Sequence, residues 1–132
     1  MTYVIAWFGT ALAFLIADAI WLTQVGPKLY RPLLGEILSE RLNLPAAAAF
    51  YLIYVSGIAY FAVAPALQAG SLPRALINAA LLGIVAYATY DLTNQATLKV
   101  WDIRVTLADM AWGAFASALA AGAGYWAATR FG

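Results

Sequence analysis

Four stretches of this chain are each long enough to cross a bilayer and nearly free of charge, and that feature limits the fold more than any other. The hydrocarbon layer is about 30 Å thick and takes roughly 20 apolar helical residues to cross. The first stretch covers about 3–25, with Asp18 as its only charge, and stops at Gly26-Pro27. The second, about 45–67, lies in the uncharged run between Arg41 and Arg74, with Pro45 and Pro65 near its ends. The third, about 75–98, carries Asp91, and the fourth, about 105–129, carries Asp109. Backbone amides in lipid must bond within their own segment, so helices are expected; a β-barrel would show alternating segments of about ten residues. Hydrophobic residues make up 65% of the 132 and charged residues 10%, more apolar surface than a soluble domain of this length can hide. The expected fold is all-α: a transmembrane four-helix bundle forming a single integral membrane domain over residues 1–132.

Ala17-Asp18-Ala19 resembles a signal-peptide cleavage site, but no basic segment precedes it and the apolar run continues to Val25. The segment therefore reads as a span. Between the first two spans, Tyr30, Leu33, Leu34, Ile37 and Leu38 recur at helical spacing, with Arg31, Gly35, Ser39 and Glu40 elsewhere around the wheel. With Pro32 suited to a first turn, this predicts a short amphipathic interfacial helix over about 32–42; a solvated loop is the alternative. Lys28, Arg31, Arg41, Lys99 and Arg104 fall in the first and third connections, against Arg74 and Arg130 on the other side. The bias places those connections in the cytoplasm and both termini outside, in a bacterial inner membrane.

The fourth span repeats small residues every four positions, as Gly113, Ser117 and Ala121 and as Ala116, Ala120 and Gly124. Small residues let helices approach closely in lipid. Packing within the bundle is one expectation; a homodimer through the Gly113/Ser117/Ala121 face is the other. Trp7, Tyr125 and Trp126 read as interfacial anchors.

The composition narrows the chemistry. A net charge of +1 without a basic cluster argues against a nucleic-acid partner. No cysteine or histidine is present, which removes disulfides, thiolate nucleophiles and the usual zinc, iron–sulfur and haem ligands, so neither a metal nor a cofactor is expected. Three aspartates remain. In the expected topology Asp18, Asp91 and Asp109 all lie one to two turns inside the same membrane face. Ionisable groups at that depth are expensive and mark functional paths. On the third span Tyr87, Tyr90, Asp91 and Asn94 share a helix face; on the fourth, Asp102, Thr106, Asp109 and Gly113 do, with Trp112 beside them; Trp21 stands near Asp18 on the first. These residues form the candidate ligand- or proton-binding site: Asp18, Trp21, Tyr87, Tyr90, Asp91, Asn94, Asp109 and Trp112, rimmed by Lys28, Arg31, Lys99 and Arg104. Asp18 is the expected proton-exchange group. The alternative is that Asp91 and Asp109 are hydrated at the interface and pair with Lys99 and Arg104. An Ala-Asp-x-x-Trp string occurs twice, at Ala17 to Trp21 and Ala108 to Trp112, in spans that run in opposite directions; it is too short to establish a repeat.

The strings Asp18-Ala19-Ile20-Trp21, Phe50-Tyr51, Ala88-Thr89-Tyr90-Asp91-Leu92-Thr93-Asn94 and Asp109-Met110-Ala111-Trp112-Gly113 resemble a family of small bacterial membrane proteins catalogued as a domain of unknown function. The resemblance covers nearly the whole chain and implies a four-span membrane fold, with no activity or site residue attached. Three functions are expected in turn: binding or transport of a small amphipathic or cationic molecule or a proton at the aspartates, among membrane lipids; a membrane enzyme acting on a lipid or isoprenoid; or an assembly subunit of a larger membrane complex. The fold level resembles the small multidrug transporters, although the residues around Asp18 do not match theirs.

Overall fold

Each apolar stretch forms one long helix in the computed structural model, which describes residues 1–35, 37–38 and 43–132. The helices are α1 (Thr2–Leu34), α2 (Leu44–Ala69), α3 (Leu72–Thr97) and α4 (Ile103–Phe131), all long and apolar enough to cross a membrane. No strand occurs among the described residues. The termini of the helices follow local chemistry. Asn43 caps α2 by accepting from the Ala46 amide at 3.1 Å, and Ser71 caps α3 by accepting from the Arg74 amide at 3.3 Å. Between them the chain reverses at Gly70, whose φ of +63° ends α2 in the left-handed region that favours glycine. Asp102 caps α4 and holds Arg104 through a 2.9 Å ion pair, which pushes the Asp102 carboxyl down to about 2.

The first helix outruns its expected end. Gly26-Pro27 does not stop α1, because the proline follows a wider π-helical turn, Trp21–Val25; Pro65, near the end of α2 as expected, follows another, Ala59–Val63. Proline lacks an N–H and crowds the carbonyl four residues back; the expanded turn makes room for its ring. For Pro65 that carbonyl belongs to Phe61, and Asn78 of α3 donates to it at 3.2 Å. The freed backbone group is thus satisfied by a neighbouring helix.

The expected separate interfacial helix over 32–42 is not shown. The amphipathic segment is instead the end of α1, helical through Leu34, with Gly35 and Ile37 in turns. Residues 36 and 39–42 lie outside the described residues.

The centre of the bundle is α4, which makes the most extensive contacts, with α3 and with α1. Its small residues explain this. A Cβ added at Gly83 of α3 would run into the backbone of Gly113, so the two helices touch backbone to backbone there. Ser117, fully buried, bonds the Tyr54 hydroxyl of α2 at 2.6 Å. Gly124 lies against Ala6 and Thr10 of α1. Gly113, Ser117 and Ala121 are therefore buried inside the bundle. Apolar packing fills in around Phe14, Val55, Ile58 and Val63. Large apolar side chains such as Phe8, Ile53, Leu81 and Phe115 point outward, the reverse of a soluble protein and the arrangement lipid requires. Trp7 ties α1 to α2 by donating to Ser56 Oγ at 3.0 Å.

Candidate functional site

Most of the candidate residues gather in one region of the bundle. A cavity of about 400 Å³ is lined by Asp18, Trp21, Leu22 and Tyr30 of α1, Phe50 of α2, Ala86, Tyr87 and Tyr90 of α3, and Asp109 and Trp112 of α4. Six of the eight candidate residues line it. Asn94 instead lines a second cavity, of about 500 Å³, nearer the connecting segments. Leu22, Tyr30, Tyr90 and Asp109 border both.

Asp18 and Asp109 are held by reciprocal arrangements. Asp18 accepts a hydrogen bond from the Tyr51 hydroxyl and a longer one, 3.4 Å, from Trp112 Nε1. Asp109 accepts from the Tyr30 hydroxyl, which itself accepts from Trp21 Nε1 at 2.7 Å. The indoles of Trp21 and Trp112 stack between these carboxylates, with centroids 4.6 Å apart and planes 13° from parallel. The twofold Ala-Asp-x-x-Trp string thus has a structural meaning. Because α1 and α4 are antiparallel, each Trp lies at the depth of the other helix's Asp. Opposite direction, which weighs against a repeat in the sequence, is what lets each string complete the other.

Asp91 differs from both. It is fully buried, and neither carboxyl oxygen has a hydrogen-bond donor. The group beside it is the carboxyl of Asp109. Side chains lean toward the N-terminus of their own helix, and on antiparallel α3 and α4 that tilt brings Asp91 and Asp109 together. Neither is hydrated at the interface or paired with Lys99 or Arg104: Asp91 and Asp109 are 0% and 7% exposed, and Arg104 is taken by Asp102. Lys28, Arg31, Lys99 and Arg104 are exposed and line neither cavity. Among the described residues no group of three or more carboxylates could hold a metal ion.

Tyr30 and Tyr51 belong to the site but not to the set expected from the sequence. Tyr30 sits on the apolar face of the segment after Pro27, where it looks like an interfacial residue until α1 continues through the proline. Tyr51 shows no pattern linking it to Asp18, which is 33 positions away on another helix. A third polar network steadies the connection from α3 to α4: Trp101 Nε1 donates to Thr106 Oγ1, which donates to Gln95 Oε1, at 2.9 and 2.8 Å.

The model of a family described as "Predicted membrane protein (DUF2177)" matches residues 3–126. The chain belongs to that family. Its four spans agree with the description, and the DUF2177 match runs from the start of α1 to near the end of α4, so it takes in both cavities. No curated protein and no solved structure matches the chain. This DUF2177 protein is thus an integral membrane protein of unknown function, and the reading of its site rests on its own residues.

Proposed function

We propose that this protein binds a small lipophilic cation in the cavity between α1, α3 and α4. The observation that carries the reading is the lining itself: two carboxylates, Asp18 and Asp109, face a space otherwise bounded by aromatic and aliphatic groups, with no Lys or Arg among the lining residues. A volume near 400 Å³ suits a small organic molecule. Trp21, Tyr30, Phe50, Tyr87, Tyr90 and Trp112 offer ring faces, and a desolvated cation over such a face gains about 2 kcal/mol. A neutral apolar guest would leave the charge of the carboxylates uncompensated, whereas a cation offsets it. Transport is the fuller form of the same reading, with the cation released to either side of the membrane. The orientation that goes with it places both termini outside a bacterial inner membrane, on the strength of five basic residues against two.

The test is equilibrium binding of radiolabelled benzyltrimethylammonium to the protein in nanodiscs, with neopentylbenzene, its uncharged carbon isostere, as competitor. Saturable binding that resists the isostere and weakens at least tenfold in Asp18→Asn and Asp109→Asn is expected. Binding equal in wild type and both variants would reject the proposal.

A further inference from the structure

We propose that Asp91 and Asp109 share a single proton, and that this proton is released when a cation occupies the cavity. The geometry separates the three aspartates into two kinds. Asp18 has two donors, Tyr51 and Trp112. Asp91 has none: it is fully buried, with both oxygens lacking a donor, and its neighbour is another carboxyl group. Two carboxylates in contact inside a low-dielectric bundle repel each other and offer each other no hydrogen bond. One proton between them removes the repulsion and supplies the missing donor. Asp109 is well placed to be the ionised partner, since the Tyr30 hydroxyl already donates to it. The exchangeable proton thus belongs to this pair rather than to Asp18, the group expected from the sequence.

The other titratable groups that face the pair are acids or phenols. From α1 these are Asp18 and Tyr30, and from α3 Tyr87 and Tyr90; α2 reaches the region through Tyr51, which is bonded to Asp18, and Tyr54, which is bonded to Ser117. No ion pair reaches either carboxyl among the described residues. Nothing on these elements neutralises a second negative charge, so the proton does.

Asp109 borders both cavities, and that position couples the proton to the ligand. A monovalent cation seated against Asp109 supplies the positive charge that the proton had provided. The O–H bond then breaks and the proton leaves to water as a hydrated proton, with both Asp91 and Asp109 ionised. One charge enters and one leaves, so Asp91, Asp109 and their guest carry a net charge of minus one in either state. The second cavity, which Asp109 shares with Asn94, Trp101 and Leu98 near the end of α3, gives the proton a route apart from the cation's.

The exchange rests on the cation-binding reading, but the shared proton does not, and two measurements keep them apart. Infrared spectra of the unliganded protein at neutral pH should show the carbonyl stretch of a protonated carboxylic acid, shifted in D2O and absent from Asp91→Asn and from Asp109→Asn. A wild type lacking that band, or Asp91→Asn retaining it, overturns the shared proton whatever the cation does. Calorimetric titration with benzyltrimethylammonium in buffers of different ionisation enthalpy should then show about one proton released per cation bound, and none in Asp91→Asn, which replaces a carboxyl with an amide that donates to Asp109. Cation binding with no proton release in wild type overturns the exchange and leaves the cation site standing.

Discussion

Replacing Gly83 and Gly57 by alanine adds the same methyl group to two helices with opposite expected results. At Gly83 the new Cβ would sit 2.6 Å from the carbonyl carbon of Gly113 and 2.9 Å from Ser117 Oγ; at Gly57 it would meet nothing within 4 Å. Ordinary contact begins near 3.4 Å, and the carbonyl oxygen of Gly113 lies closer to the new Cβ than its carbon does, so α3 and α4 must separate by more than about 0.8 Å to admit the methyl group. A radial gap of about 0.5–1 Å already forfeits a quarter to a half of each dispersion contact along a seam, and overpacking of this kind costs about 1–3 kcal/mol. Because the obstacle is backbone and cannot rotate away, Gly83→Ala belongs at the upper end of that range. Gly57→Ala should change stability by between zero and about 1 kcal/mol in the favourable direction, since alanine is the better helix former. Reversible unfolding in mixed micelles with increasing dodecyl sulfate, followed by tryptophan fluorescence, measures both. Equal effects at the two positions would refute the backbone contact between α3 and α4. The same separation should also pull Asp91 away from Asp109, so Gly83→Ala should weaken the infrared band of the shared proton.

Asn78→Leu removes the donor to the Phe61 carbonyl, and a hydrogen bond between membrane helices is worth about 0.6 kcal/mol on average and up to about 1.7. In a Pro65→Ala background, which restores a backbone N–H at position 65 able to donate to the Phe61 carbonyl, Asn78→Leu should cost less than half as much; equal costs in both backgrounds would show that the two residues are independent. The orientation is checked with single cysteines, which the natural chain lacks entirely. A cysteine at Lys99 should resist an impermeant maleimide applied outside bacterial cells and one at Arg74 should react; the opposite pattern would invert the topology.

The fold was legible because its signal is one-dimensional. Four runs of about 20 apolar residues identify four helices without any knowledge of partners. Pro27 is no boundary because the rule that prolines end helices presumes an unbroken i→i−4 ladder, and the π turn before it relaxes that presumption. The extra length matters to the site: it carries Tyr30 to Asp109. The aspartates stood out through the cost of burying charge, and the faces of α3 and α4 followed from helical spacing. What stayed hidden was pairing between helices. Nothing along the chain says that Tyr51 bonds Asp18, that the indoles of Trp21 and Trp112 stack, or that Asp91 rather than Asp18 lacks a donor. Such facts depend on which helix sits beside which, and hydropathy does not encode adjacency.

The bonds around Asp18 also set an order of events during synthesis. Tyr51 and Trp112 follow it by 33 and 94 residues, so on an emerging chain neither lies beside Asp18 when α1 enters the bilayer. A lone aspartate at the centre of a span costs about 2.5–3.5 kcal/mol to insert. The ten Val, Ile, Leu and Phe residues between Val4 and Val25, at about 0.3–0.6 kcal/mol apiece, return a similar or larger amount. The first helix can therefore enter the bilayer alone, and its carboxylate waits there for donors that arrive only with the second and the last helices.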